Sequence, residues 1–483
     1  MIEALQNGII EPLTKDQLTR IHVATLEVLE NIGVKIEEEN ALRLMDNIGA
    51  DVNFKSQIVK IPQHLVKEAI KYSPETVPFC GRNPKYDIKL HGKRINFGLG
   101  GGATSYLDVK TGLCRPSTKQ DVANAAKLAD ALPNLDFVMS QFTSQDKPQH
   151  VLPLHDLHAM IKNTEKPIMV VDYGLDAEYL IKLAAVLVNG KENLRERPLL
   201  GMYSEPISPL THGRSHTRNL MTFAKAHLPI AYIPSPASCS TAPVTLAGAI
   251  VQSNAETLSG NVIAQFTCKG ARYIYGISTS VMDMKSGVFS YGAPEWMITN
   301  LIMAQLGRHY GLPVWSTGGC SDSKILDAQA VTEAALTLLM ATQSGANLIH
   351  DVGSFLNFGL TGCLELVTIC DELISMFKYL LRGIKVSDET LALDIIAKTG
   401  PGGHYLSHEH TRRLFFDEHW MPSLFDRQMK NSWIKDGSKD LVQRAGERTV
   451  QILKDHVPNS IPNDINKELD ATLKNMEKTL TKN

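Results

Sequence analysis

The sequence predicts an α/β protein built as a (β/α)8 TIM barrel with mainly helical extensions at both ends. Seven short apolar runs of β character begin at Phe137, Ile168, Leu199, Ile230, Tyr273, Val314 and Leu348. Their starts lie 31, 31, 31, 43, 41 and 34 residues apart, each about the length of one βα unit. The stretch from Ile95 to Leu107 supplies an eighth run in front of them. Closing eight units into a barrel removes both exposed sheet edges. A doubly wound open sheet has the same rhythm, but the residues at the end of each run favour closure. The exits Ser204-Glu205-Pro206, Ser235-Pro236-Ala237-Ser238, Ser278-Thr279-Ser280, Thr317-Gly318-Gly319-Cys320 and His350-Asp351-Val352-Gly353 are small and polar. In a barrel they gather on one rim, where chemistry is done.

Taken in order, the first segment, residues 1–95, reads as small helices and short strands. Thr14 with Gln17 forms a capping box, Leu18, Ile21, Val28, Leu29 and Ile32 keep helical spacing, and Gly33 stands at a C-cap. A second helix runs over 41–48 and ends at Gly49, and Pro62 opens a third. Residues 96–355 form the barrel, about 260 residues. Most runs come after a helix-breaking Pro or Gly, as in Lys166-Pro167, Leu228-Pro229 and Leu312-Pro313. Residues 356–483 turn helical again around a loop bearing Gly402, Gly403, His404 and His408. The tail from Asp464 onward, with Leu469, Leu473, Met476 and Leu480, reads as a solvated, weakly amphipathic helix.

Composition sets further bounds. Among 483 residues, 49 Lys and Arg balance 51 Asp and Glu, which gives no electrostatic footprint for nucleic acid or an anionic membrane. Seven cysteines without a Cys-x-x-Cys read as free thiols in a reducing compartment. Met1 to Gln6 has no basic leader, and no stretch approaches the ~18 to 20 apolar residues of a membrane span, so a cytoplasmic location is expected.

Several chemistries find little support. His155 with His158, and His404 with His408 and His410, lack a Cys or carboxylate at ligand spacing and read as packing or surface groups; no metal is expected. Cys363 and Cys370 read as core thiols. No Gly-x-Gly-x-x-Gly comes after a strand and no Gly-x-Ser-x-Gly elbow occurs. Lys324 after the seventh run could form a Schiff base but reads more readily as a solvated lysine. Aromatics recur in the runs and their exits: Phe97, Phe142, Tyr173, Tyr203, Tyr275, Trp315, Phe355 and Phe358. Rings at a rim can enclose a quaternary ammonium, which has no N–H to donate and is held by cation–π attraction of about 0.5 to 2 kcal/mol per ring.

A longer pattern gives more. Ala242-Pro243-Val244-Thr245-Leu246-Ala247-Gly248, Asn254-Ala255-Glu256-Thr257-Leu258-Ser259-Gly260, Tyr275-Gly276-Ile277-Ser278, Ala293-Pro294-Glu295, Tyr310-Gly311-Leu312-Pro313, Ser321-Asp322-Ser323-Lys324 and Asp327-Ala328-Gln329-Ala330 succeed one another. Their order and spacing resemble the trimethylamine:corrinoid methyltransferase family. In the family's trimethylamine enzymes a pyrrolysine precedes the Ser-Asp-x-Lys motif, and the matching position here is Gly319. The resemblance therefore points to the non-pyrrolysine branch and is nearest to the glycine betaine:corrinoid methyltransferases. It implies methyl transfer from a quaternary amine, glycine betaine foremost, to the Co(I) of a corrinoid carried by a separate partner protein. Carnitine, proline betaine and γ-butyrobetaine are alternative donors, and a Schiff-base lyase using Lys324 is a more distant reading.

With that resemblance, rim placement nominates Phe97, Tyr203, Trp315 and Phe355 as cage residues and His350 as a partner for a substrate carboxylate. Gly319 would leave space where the bulky residue stood. His350 and Glu256 join it as candidate catalytic positions. Asn254, Asp322 and Lys324 are candidates on the corrinoid side, with a structural role for Asn254 and Glu256 equally open and Asp322 expected to pair with Lys324. A homo-oligomer is expected.

Overall fold

The computed structural model describes residues 8–482; the Met1 to Gln6 stretch read for a leader lies outside them. Eight parallel strands form the centre: β1 Asn96–Phe97, β2 Val138–Met139, β3 Ile168–Val171, β4 Leu200–Ser204, β5 Ile230–Tyr232, β6 Tyr273–Ile274, β7 Trp315–Thr317 and β8 Leu348–His350. Ladders join β2 through β6 in sequence order, and β7 to β8 to β1. Two parallel bridges, Gly98 to Phe137 and Tyr275 to Val314, complete the circle. The expected barrel is present, with each run starting within a residue of its strand.

Each strand is followed by a helix: α1 Lys119–Ala131, α2 Leu152–Asn163, α3 Ala177–Ala185, α4 Arg214–Ala226, α5 Leu246–Thr267, α6 Pro294–His309, α7 Ala328–Ser344 and α8 Leu364–Arg382. The expected boundary at 355 cuts the eighth unit before its helix. Helix α8 belongs to the barrel wall, since β8 needs an outer layer like its neighbours; it packs on α7. Barrel residues thus run on to 382. The largest fully buried side chains include Trp296, Trp315, Tyr232, Tyr273 and Tyr275, and burial of a large apolar side chain stabilises the fold by about 1.5–3 kcal/mol.

The N-terminal segment holds helices Lys15–Glu27, Glu39–Asn47 and Gln63–Tyr72. Thr14 and Gln17 form the reciprocal capping box, and Gly33 adopts φ +83° beyond the helix end. Short strands matter more here than helical spacing indicated. Val34–Ile36 pairs with Ile58–Lys60 and also, in parallel, with Thr211–His212 from the β4–α4 connection. The extension is thereby stitched to the barrel.

The tail helix Asn463–Lys482 departs from the solvated reading. Leu469, Leu473 and Met476 are buried against the barrel. On its other contacts, Asp470 lies 2.8 Å from His158 Nε2 and 2.6 Å from Lys162 Nζ, and Glu477 lies 2.6 Å from His155 Nε2. The two α2 histidines therefore anchor a helix. Alternating charge hid the docking because Asp470 and Glu477, although partly exposed, pair with side chains of the barrel wall.

Candidate active site

The C-terminal ends of β1, β3 and β4 bound a cavity of about 360 Å³, lined by Gly101, Asp172, Tyr173, Tyr203, Glu205 and His216 among others. That volume lies within the range of small-molecule sites. Its outer edge is open: Tyr173 is 44% and Ile207 52% exposed.

Strand alternation decides which side chains reach the interior. At β4, Tyr203 points inward, its ring 5.4 Å from Trp315 and 5.3 Å from His350. Trp315 and His350 are 4.6 Å apart. The structure thus brings together three predicted residues, but as rings in mutual contact, with no room for an ammonium between them. Of the three, Tyr203 faces the cavity, and its hydroxyl donates to Glu205 Oε1. Phe355 packs instead against Tyr291 in a tilted pair, with ring centroids 5.7 Å apart. Phe97 is a correction: the lysine ammonium of Lys378 on α8 sits 5.6 Å from its ring, so Phe97 faces the helical layer. Its neighbour Gly98 takes the inward position, against the Phe137 ring.

His350 does not serve as a cationic partner for a carboxylate. Burial pushes it down to about 3. Nδ1 lies 3.0 Å from the Ser316 carbonyl, and Nε2 lies 3.2 Å from Asp351 Oδ2. Burial, with the charge of Glu205 second, raises the Asp351 carboxyl well above the ordinary range. Asp351 reaches this place because residue 100 is glycine: a Cβ there would fall 1.4 Å from Asp351 Oδ1.

Gly319 leaves no open space. Its φ is +96°, and a Cβ would meet Gly353 N at 2.8 Å and Val352 Cα at 3.0 Å, both backbone. Glu256 and Asn254 stand in α5 with their polar atoms committed elsewhere. Glu256 accepts from Ser208 Oγ, Leu210 N and Gln252 Nε2, fixing the β4–α4 connection. Asn254 donates to Thr25 and Tyr310 hydroxyls and accepts from Tyr275, joining the N-terminal helix to the barrel. Neither lines the cavity. Asp322 accepts from Ser290 Oγ and the amides of Tyr291 and Gly292. Lys324 lies 4.1 Å from the Phe358 ring and donates to the Asp322 backbone carbonyl, so the expected side-chain pair is replaced by one to the main chain.

Sequence reasoning misses Asp172, Glu205, Asp351 and His216. The first three stand directly after recognised strands, and that position is the available signal. His216 sits in the first turn of α4 and carries none. Burial raises the Glu205 carboxyl, opposed by the hydrogen bond from Tyr203 and the nearby His216. His216 is raised chiefly by its hydrogen bond to Asp172. The cavity therefore combines aromatic walls, carboxyl groups and one imidazole, with no lysine or arginine among its lining residues.

Comparison with known proteins agrees with this architecture. The monomethylamine methyltransferase MtmB of Methanosarcina barkeri superposes with a TM-score of 0.51 at 12% identity, over 78% of this chain and 79% of that one, a likeness of fold. In sequence, the trimethylamine methyltransferase MttB of Desulfitobacterium hafniense is 38% identical over 463 residues, covering 96% of this chain and 93% of the relative. The MttB of Methanosarcina thermophila is 35% identical over 96% and 97% of the two chains. A glycine betaine methyltransferase of Desulfitobacterium hafniense is 34% identical over 95% of each. Residues 2–480 match the description "Trimethylamine methyltransferase (MTTB)", and the chain belongs to that family.

Proposed function

We propose that this protein transfers a methyl group from a quaternary amine, glycine betaine first among them, to the Co(I) of a corrinoid carried on a separate protein. The corrinoid is a second substrate: its Co(I) supplies the nucleophile. The nitrogen keeps the N–CH3 bonding pair and leaves as the neutral amine of dimethylglycine, whose carboxylate keeps its negative charge. A quaternary nitrogen is already positive, so no adduct is needed to make it a leaving group.

The observation that carries the quaternary reading is at position 319. The family resemblance puts the pyrrolysine of trimethylamine enzymes there. This chain has glycine, and the backbone of 352–353 lies within 3.0 Å of where even a Cβ would stand. The cavity fits the same class of donor. Tyr203 and Tyr173 line it, and an aromatic ring can contribute about 0.5 to 2 kcal/mol to holding a cation. Glu205 adds a carboxyl beside them. The chain's part is to position the methyl donor and exclude water from it, while the open edge at Tyr173 and Ile207 gives the partner access. Lys324 is exposed and lines none of this cavity, so nothing here favours a lyase.

Incubation with reduced cob(I)alamin and glycine betaine should convert the Co(I) absorption to that of methyl-Co(III) and release dimethylglycine. A panel with carnitine, proline betaine and γ-butyrobetaine ranks the donors. No spectral change with any betaine would overturn the reading.

A further inference from the structure

A betaine carries a carboxylate as well as an ammonium, and the cavity has few groups able to meet it. Lysine and arginine are absent from its lining, and so is His350, which burial holds in the neutral form. His216 differs on each point. It lines the cavity, and its Nδ1 lies 3.1 Å from Asp172 Oδ2. Among the described residues, no hydrogen bond is made by its Nε2.

Asp172 is itself rigidly held. Its Oδ1 accepts from Gly174 N at 2.9 Å and Asn219 Nδ2 at 2.8 Å, and its Oδ2 from Ser204 Oγ at 2.8 Å. A buried carboxylate fixed by three donors orients the imidazole that donates to it, as an outer partner orients a catalytic or ligating histidine. Nδ1–H is thereby turned to Asp172 and Nε2 is left for a ligand.

We propose that His216, oriented by Asp172, receives the carboxylate of the methyl donor and makes the cavity select zwitterionic over simple quaternary ammonium ions. Deepening the functional reading above, this rests on it. The hydrogen bond His216 donates to Asp172, then the charge of that carboxylate and after it that of Glu205, favour the imidazolium form against the opposing effect of burial, and in that form Nε2 bears a hydrogen to donate. Asp172 and Glu205 are the charged groups that face His216. The arrangement divides the cavity: Tyr203, Tyr173 and Glu205 for the ammonium, His216 for the carboxylate. A donor lacking the carboxylate keeps the first set of contacts and loses the second.

The test compares glycine betaine with tetramethylammonium, on wild type, His216→Gln and His216→Lys. Two readouts are taken: methyl transfer to cob(I)alamin, and donor binding by calorimetry without cobalt. Circular dichroism and thermal midpoints establish that each variant is folded. Gln should weaken glycine betaine binding, and raise its KM, at least 10-fold while leaving tetramethylammonium within twofold. Lys, which restores the positive charge, should recover part of the loss. Equal effects on both donors, or no effect on either, overturn the assignment of His216. Wild type that binds betaine in a His216-dependent way yet transfers no methyl group overturns the proposed reaction and leaves this assignment standing. Wild type that binds neither donor overturns both.

Discussion

Asp351 Oδ2 lies 3.2 Å from Nε2 of its chain neighbour His350, and a third group fixes the tautomer of that imidazole. The Ser316 carbonyl, 3.0 Å from Nδ1, can only accept, so Nδ1 bears the ring hydrogen. Nε2 is then the bare ring nitrogen, and the Asp351 beside it is held in its protonated form by burial. Burial acts the same way on both, depressing His350 to about 3 and raising Asp351 well above 3.8.

This pair predicts a specific dependence of stability on pH. Folded, the pair holds one titratable proton, on Asp351. Unfolded, it holds two below about pH 3.8, one between about 3.8 and 6.5, and none above. Its contribution is therefore flat from about pH 4 to 6.5. Above 6.5 the folded form, in which burial keeps Asp351 protonated, binds the extra proton, and stability falls as pH rises. Asp351→Asn keeps the shape of the side chain and removes the acid. His350 alone then remains, neutral when folded, so its stabilisation is complete above about 6.5 and lost as pH falls. Urea unfolding of both proteins from about pH 4.5 to 8.5 should show the wild type losing ground to the variant above 6.5 and gaining on it below. Parallel curves would show that the proton is elsewhere.

Phe97 and Tyr203 are both cage candidates by sequence, and the barrel turns them to opposite sides of its wall. Phe97→Leu should lower stability by about 1–2 kcal/mol, less than the roughly 3–5 of full truncation, and leave the donor KM within twofold. Tyr203→Leu should raise that KM about 10-fold, the loss expected when an aromatic wall worth about 1–2 kcal/mol is removed from a cation. Denaturation curves and donor titrations on the two variants separate packing from binding. A large KM effect from Phe97→Leu would contradict its outward orientation.

The difference between these two residues marks what the chain makes legible. The strands are readable because parallel barrel strands, covered on both faces, appear as short apolar runs, and the spacing of Phe137, Ile168, Leu199 and Ile230 repeats one βα unit. Facing is not. Runs apolar on both sides give no alternation to say which residue points inward, so Phe97 and Tyr203 look alike. Polar side chains in α5 pose a related difficulty. Glu256 and Asn254 sit in a distinctive motif, yet that motif braces the β4–α4 connection and the N-terminal helix, roles that depend on chain segments 46 and 229 residues away. His216 is illegible for the converse reason: its partner Asp172 is 44 residues distant and nothing local marks the pair.

Gly319 offers the sharpest test of the local geometry behind the functional reading. Its φ of +96° is open to glycine and strained for other residues, and the Cβ contacts at 2.8 and 3.0 Å are to backbone atoms of Gly353 and Val352 that cannot swing aside like a side chain. Gly319→Ala therefore combines strain with displacement of the β8 exit, which carries Asp351. A loss of stability of about 2–4 kcal/mol is expected, together with reduced methyl transfer in whatever fraction remains folded. Chemical denaturation measures the first and the cob(I)alamin assay at low temperature the second. If the alanine variant is as stable as the wild type, the β8 loop yields easily, position 319 can accept a side chain, and its crowding no longer speaks for a donor that needs no adduct.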